Sequence, residues 1–511
     1  MLVKIRRAIS TLLPHGSVSR ITVLVIIGDA ILYSSGTITS IVLARIIPVD
    51  AMATYRQVVY LTPLAQSLVE FGLASSIYRF WNLLSLPRRS TFLKMLILLS
   101  IGLGSVASLG LAVLTPFISQ AYHNPDLMPA LIITCIFPLL NILPLSIRPL
   151  QICRGRPLLA TALQLIISLL NVFSLVIPLM LKASLLTALK VWILTDALNF
   201  AIVPFVFLPS ILPHTPWWDK ELFKEIWDYL WPLQAGRIPT IFSQYTDKIA
   251  SSVYLSKDAF ATYSLGAKEI PFVSQIGTSV SNVLVPKLVE DVSEDKIKQA
   301  LARWRRACEL TALFTYPIAG FCVFFSLPIV RLLYSSTYSG SSIPFMVYSF
   351  LTFLGVIDYG SLAKVFGQTK IIMRSSIIST VFLVVFSFPL TAFFGIWGIS
   401  LTVLFSEIIN VTVCMVSYVK SLKTSLNHLY PWKQLSSLFG MALASAGILR
   451  LTLYPLISAR IAISVVNALI FLGGLFGLNL LLYAGLLLVT RNQLVLEYGN
   501  KILQVFATPK P

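Results

Sequence analysis

Charge is what this chain has least of. Only 12% of its 511 residues are Asp, Glu, Lys or Arg, about half the share found in soluble globular domains. Acid is scarcer still, with 20 Asp and Glu against 39 Lys and Arg, a formal net charge of +19. Histidine and cysteine are few. His15, His123, His214 and His428 lie far apart and outside the apolar runs, which argues against a catalytic or metal-binding cluster. Cys135, Cys153, Cys308, Cys322 and Cys414 show no CxxC spacing, so neither a zinc site nor a disulfide framework is expected. They read as small apolar fillers. No Walker A motif occurs, so ATP hydrolysis by this chain is not expected. No cofactor is expected either.

What the chain has in abundance is apolar sequence, 57% of all residues. Runs such as 21–47, 92–120, 158–181 and 461–489 are long enough to cross about 30 Å of hydrocarbon. The pattern predicts an all-α membrane protein of about fourteen spans. They are expected at 21–47, 52–79, 92–119, 128–150, 157–181, 184–209, 229–255, 259–285, 306–335, 342–366, 370–394, 396–420, 434–455 and 461–489. The first run is too long for a signal-peptide core and reads as a retained span. With the N-terminus in the cytoplasm, most Lys and Arg fall on the cytoplasmic side, as the positive-inside rule requires. Both termini are then cytoplasmic. The basic excess is thus a topology signal and an attraction to anionic lipid. No compact basic domain exists for nucleic acid.

The chain also repeats itself. Asp50-Ala51-Met52-Ala53-Thr54-Tyr55 returns 208 residues later as Asp258-Ala259-Phe260-Ala261-Thr262-Tyr263. Thr195-Asp196-Ala197-Leu198-Asn199 is matched by Ser406-Glu407-Ile408-Ile409-Asn410 at an offset of 211. Spans one to six and seven to twelve then form two copies of the same orientation, a parallel repeat of the kind found in transporters. The expected division is an N-lobe at 1–211, an amphipathic cytoplasmic linker at 212–230, a C-lobe at 231–422, and two added spans with a tail at 423–511. Pro213 and Pro216 break the preceding helix. Trp217, Trp218 and Trp227 suit a linker helix in the headgroup region. Between the eighth and ninth spans, Ser293 is the expected N-cap of a short basic helix.

Ionisable groups inside spans are costly and usually face a cavity or a partner. In the seventh span Arg237, Thr240, Gln244, Asp247, Lys248 and Ser251 share one broad helical face,. In the eighth, Ser264, Lys268, Pro271, Gln275, Thr278 and Asn282 do the same. Hydroxyls and amides suit sugars, and Arg or Lys suits a diphosphate. The candidate substrate-binding set is Arg237, Gln244, Lys248, Lys268 and Gln275. The bland alternative is that Asp247 and Glu269 only neutralise Lys248 and Lys268. In the first half, Asp29 and Glu70 are expected to pair with Arg79 and Arg148. Asp196 with Asn199, and its repeat partner Glu407, are candidates to hold a proton or sodium ion. The alternative for them is a helix–helix hydrogen bond.

Ala44-Arg45-Ile46-Ile47-Pro48, Ala53-Thr54-Tyr55, Phe71-Gly72-Leu73 and Tyr78-Arg79, followed by Asp247-Lys248, Tyr263 and Val285-Pro286, resemble the pattern of polysaccharide flippases. These belong to the multidrug/oligosaccharidyl-lipid/polysaccharide exporter superfamily. The resemblance covers roughly residues 15–490. It implies a V-shaped pair of six-helix lobes around a central cavity. It also implies a flippase that moves a polyprenyl-diphosphate-linked oligosaccharide from the cytoplasmic to the outer leaflet by alternating access. The setting would be the inner (cytoplasmic) membrane, with membrane lipids and other polysaccharide-assembly proteins as neighbours. In fourteen-span relatives the extra pair can form a groove for the lipid tail. A lipid II flippase and a cation-coupled multidrug extruder are the alternatives among transporters. An integral membrane polysaccharide polymerase or glycosyltransferase is the alternative among enzymes, but no outer loop has room for a catalytic domain.

Overall fold

The computed structural model describes residues 28, 35–270, 273–356, 359–461 and 464–490, without the side chains of 274, 275, 278, 279, 282, 283 and 459–461. Every regular element among the described residues is a helix. The chain forms two compact units, Met1–Lys248 and Ile249–Pro511, called here the N-unit and the C-unit. The N-unit holds α1 (Ser35–Ile46), α2 (Val49–Val69), α3 (Leu73–Leu83) and α4 (Leu86–Ala121). A broken series follows: α5 (Leu127–Thr134), α6 (Phe137–Ile142) and α7 (Ile147–Cys153). Then come α8 (Pro157–Met180), α9 (Leu185–Phe207) and most of α10 (Lys220–Tyr254). The C-unit holds α11 (Lys257–Gly266), α12 (Val273–Ser293), α13 (Ile297–Phe324), α14 (Ser326–Tyr334) and α15 (Ser342–Gly355). It continues with α16 (Tyr359–Val365), α17 (Thr369–Ser421), α18 (Trp432–Ile461) and α19 (Val465–Val489).

Ten described helical stretches are long and apolar enough to cross a membrane. Large apolar side chains stand on the outside: Phe205, Phe393, Leu451 and Val489 are each about four-fifths exposed. Such a surface suits lipid and not water. One of the ten stretches, α17, has 53 residues. At 1.5 Å per residue it would be about 80 Å long, far more than one crossing. Gly395 resolves this, with φ 57° and ψ −133°, a conformation open only to glycine. A Cβ on Gly398 would collide with the carbonyl of Leu390, so the chain turns back on itself there. The boundary expected between spans 370–394 and 396–420 falls at this turn. Among the remaining expected spans, 21–47 is described only at Gly28 and from residue 35 onward.

Serine starts several helices. Ser184, Ser256 and Ser464 accept the backbone N–H of Thr187 (3.2 Å), Ala259 (3.3 Å) and Asn467 (3.1 Å), each satisfying a donor that the helix start leaves open. The repeated hexapeptide also has a structural task. Asp50 and Asp258 stand in the first turns of α2 and α11, where a carboxylate favours the helix dipole.

The two copies then part. Helix α2 runs for 21 residues, but α11 stops after 10 at Gly266. A side chain at Gly266 would collide with the carbonyl of Ser341, and Ala267 leaves the helical region with ψ 63°. The continuous helix expected over 259–285 is therefore broken, and Lys268 lies in the break. Ser293 does not start a new helix as expected. It ends α12, where its hydroxyl donates to the carbonyl of Glu290 at 2.7 Å.

The stretch expected as a separate linker helix is the beginning of α10. Asp219 caps it, accepting from the N–H groups of Glu221 (3.0 Å) and Leu222 (3.2 Å). Leu222, Ile226 and Leu230 recur at one-turn spacing and are buried in the N-unit core with Phe92, Leu96, Leu150 and Phe207. Lys94 is 2% exposed and donates to the carbonyls of Leu212 (2.9 Å) and Thr215 (2.6 Å), which fastens the segment before α10 to α4. In the C-unit, the added helices α18 and α19 pack on α13. Gly320 lets α13 approach within 2.7 Å of the Ala442 carbonyl, measured from the position a Cβ would take. Asn479 is fully buried, donates to the Pro317 carbonyl (3.0 Å) and accepts from Ser445 (2.9 Å). Small residues and buried amides are the usual means by which helices associate in lipid.

Candidate functional site

Each unit builds its own polar site inside apolar surroundings. In the N-unit the centre is Asp196 on α9, which is 1% exposed. Asn141 of α6 donates to its Oδ2 at 3.1 Å. The amides of Asn171 of α8 and of Asn199, one turn further along α9, lie beside it. Three helices thus supply amides to one carboxylate. Yet three buried oxygens of this group have no donor among the described residues: Oδ1 of Asp196, of Asn171 and of Asn199. Buried acceptors are rarely left open, and a cluster of oxygen ligands is what a small hard cation requires. A cavity of about 480 Å³ adjoins the group. Asn141 and Asn171 line it, with Tyr55, Arg148, Gln164 and Trp192.

The C-unit contains a larger cavity of about 610 Å³. Glu269 reaches it from the break after α11, Lys364 from the last turn of α16, and Glu407 from the second half of α17. Thr311, Tyr348 and Ser361 add hydroxyls to its wall. Asn410 donates to both oxygens of Glu407, at 3.4 Å each. Tyr359 also lines the cavity. Its carbonyl is held by the hydroxyl of Tyr418 (3.0 Å), while its own buried hydroxyl has no partner among the described residues. Among the described residues the space therefore presents one cation, two carboxylates and several hydroxyls to whatever enters it.

A family profile for polysaccharide biosynthesis proteins matches residues 42–343. The chain belongs to that family. A second profile, for the lipid II flippase MurJ, matches residues 240–470 of this polysaccharide biosynthesis protein. Among solved structures, it is similar to a lipid II flippase MurJ in an inward closed conformation, with a TM-score of 0.72 and 17% identity, covering 93% of this chain and 100% of that one. It is also similar to an inward-facing multidrug resistance MATE family transporter of the MOP superfamily, with a TM-score of 0.59 and 13% identity over 78% and 99% of the two chains. A MOP superfamily transporter from Pyrococcus furiosus Vc1 gives 0.51 and 13% over 80% and 96%. At these identities the structural likeness shows the fold. A comparison with curated proteins returns no match. The superfamily resemblance read from the sequence is thus upheld. This is a multi-pass membrane transporter, a lipid-linked flippase by family and not an enzyme.

The residues expected to bind substrate are distributed unevenly in this family member. Arg237 lies 3.6 Å from Glu70, and neighbouring Gln234 donates to the carbonyls of Ser67 (3.0 Å) and Leu68 (3.1 Å). Together they fasten α10 to the end of α2. The pairing expected of Glu70 with Arg79 or Arg148 is replaced by this one. Arg79 instead lies over the ring of Tyr229, 4.8 Å from its centroid, and Arg148 donates to Gln164 at 3.1 Å. Asp29 lies outside the described residues. Lys248 is 3.1 Å from Asp247 and donates to the Gln244 carbonyl at 2.9 Å, while the Gln244 side chain is exposed. Lys268 is half-buried but does not line the C-unit cavity; its neighbour Glu269 does. The side chain of Gln275 lies outside the described residues.

Asp196 and Asn199 come together as expected, and Glu407 meets Asn410. Asn141, Asn171 and Lys364 were missed. The two asparagines had a readable signal, since an amide inside an apolar run asks for a partner. Lys364 had none, because it stands near the end of a run and resembles a topology marker.

Proposed function

We propose that this protein moves a polyprenyl-diphosphate-linked oligosaccharide from the cytoplasmic to the outer leaflet, for the synthesis of a cell-surface polysaccharide. One observation carries the reading. The C-unit cavity is large and rich in hydroxyls, and Lys364 stands in it beside Glu269 and Glu407; the hydroxyls and carboxylates suit the sugars of a headgroup and Lys364 its phosphate. A cavity for an apolar drug would need neither the cation nor the hydroxyls. Arg237, Gln244, Lys248, Lys268 and Gln275 are proposed as further contacts. Arg237 and Lys248 rest on Glu70 and Asp247, partners that a diphosphate would displace. A lipid II flippase is the second reading, favoured by the profile match over residues 240–470 and the similar fold.

Transport is proposed to be coupled to a proton or sodium ion at Asp196. The donorless oxygens of Asp196, Asn171 and Asn199 support this. Together with Asn141 they would hold the ion, whose binding and release would bias the helices that carry them. The test is flipping by purified protein in vesicles. Each vesicle holds either an undecaprenyl-diphosphate oligosaccharide or lipid II, with and without an imposed ion gradient. Faster movement of the first substrate supports the proposal. Movement of lipid II alone replaces it with the second reading.

The orientation is proposed with both termini in the cytoplasm. Thr337 and Lys298 are exposed. In a background lacking the native cysteines, Thr337→Cys should react with an impermeant thiol reagent applied to intact cells, and Lys298→Cys should not. The reverse pattern inverts the topology.

A further inference from the structure

A second cavity of about 570 Å³, this one basic, lies in the C-unit and shares no lining residue with the one that holds Lys364. It forms where the beginning of α13 meets the beginning of α18. Helix α13 contributes Arg305, Arg306 and Glu309; the opposite wall contributes Tyr430, Trp432 and Lys433. Arg306 donates to Glu309 at 3.4 Å. Arg305 and Lys433 have no carboxylate within ion-pair distance among the described residues. Three cations therefore face one anion. Tyr430 is 1% exposed, packs edge-on to Trp304 at 5.6 Å, and has a hydroxyl with no hydrogen-bond partner. The ring of Trp432 lies 5.6 Å from Tyr430 and is partly open.

The sequence sets the depth of this cavity. In α13 the cations Lys298, Arg303, Arg305 and Arg306 all precede Glu309, and no further charge follows before the helix ends at Phe324. In α18, Lys433 is followed by no charge until Arg450. Both helices thus turn apolar just past the cavity, at the level where they enter hydrocarbon. Trp432 is suited to that boundary. Arginine is matched in shape and charge to a phosphate, and at this depth the abundant phosphates belong to lipid headgroups.

We propose that this cavity binds the phosphate of an anionic phospholipid headgroup, with Arg305 and Lys433 as its contacts. Free inorganic phosphate is the other source of the same chemistry, and the test separates them. Full-length protein in a neutral detergent is titrated with dioctanoyl-phosphatidylglycerol, with dioctanoyl-phosphatidylcholine and with inorganic phosphate, and binding is read by native mass spectrometry. The phosphatidylglycerol should bind about tenfold more tightly than the phosphatidylcholine. The double variant Arg305→Gln with Lys433→Gln should lose about tenfold or more for the anionic lipid, the scale of one charge-assisted contact. Arg305→Lys keeps the charge and should stay within about threefold of the parent. So should Lys298→Gln with Lys420→Gln, which removes two exposed cations outside the cavity. Unchanged binding in the cavity double variant overturns the proposal. So does an equal loss in the control pair, which would mean diffuse attraction. Displacement of the lipid by equimolar inorganic phosphate would overturn the lipid assignment.

Discussion

Asp196 and Glu407 occupy equivalent positions in the sequence repeat, yet the two units have made different sites from them. Asp196 is sealed, at 1% exposure, within amides drawn from three helices. Glu407 has one amide neighbour, Asn410, and faces a cavity of about 610 Å³ that also holds Lys364 and Glu269. Buried oxygens without donors suit a small cation. An open cavity with mixed charge and hydroxyls has room for a headgroup. Duplicated elements that begin alike can diverge in this way, because a carboxylate's chemistry is set by the side chains around it rather than by its own type. On the proposed mechanism the ion site lies in the N-unit and the headgroup cavity in the C-unit, with Arg237, Gln244 and Lys248 as added substrate contacts from the N-unit.

The largest effect is expected at Lys364, the only lysine or arginine lining the C-unit cavity among the described residues. Lys364→Ala should lower flipping about 10- to 100-fold at matched expression, the loss of a charge-assisted contact of about 1.5–3 kcal/mol. The gradient response of the remaining activity should persist. If flipping stays at the parent level, the division of labour between the units fails on the substrate side.

Asp196→Asn comes next. It keeps the size of the side chain and most of its hydrogen bonding but fixes the charge at zero. The rate should fall to the level that the parent shows without an ion gradient, with substrate binding in detergent unchanged. Asn171→Leu should act in the same direction and more weakly, since it removes one of three donorless oxygens. An Asp196→Asn protein that still answers the gradient like the parent would make this carboxylate a helix-packing residue.

The sequence made some of this comparison readable and hid the rest for definite reasons. The turn at Gly395 was visible because two apolar runs meet there at a glycine. Asp196 and Asn199 were visible because they are one helical turn apart. Asn141 and Asn171 belong to other helices, and only tertiary packing brings them to the same carboxylate. The break after Gly266 was hidden for a similar reason: the group that forbids a side chain there is the carbonyl of Ser341, far along the chain. The polar face of the eighth span was read from periodicity, which assumes an unbroken helix, and α11 ends before Lys268 is reached. Arg237 was read as a candidate substrate contact, with no acidic partner named for it. Its partner Glu70 comes from the end of α2, a pairing that spacing within one helix cannot reveal.

The smallest effect is expected at Glu407. It shares its cavity with Lys364 and Glu269, and its hydrogen bonds from Asn410 are long at 3.4 Å. Glu407 is only half-buried, and Glu269 leaves a carboxylate in the cavity when Glu407 is neutralised, so little is lost. Glu407→Gln keeps the shape and a hydrogen-bonding group, so flipping should change by about threefold or less, the scale of one net hydrogen bond. The ion dependence should be that of the parent. The informative measurement is the pair of variants side by side: the rate of each with and without the gradient. If Glu407→Gln abolishes the gradient response and Asp196→Asn does not, the assignment of the two units is inverted. The open cavity would then be the ion site, and the sealed cluster in the N-unit would be a structural joint between α6, α8 and α9.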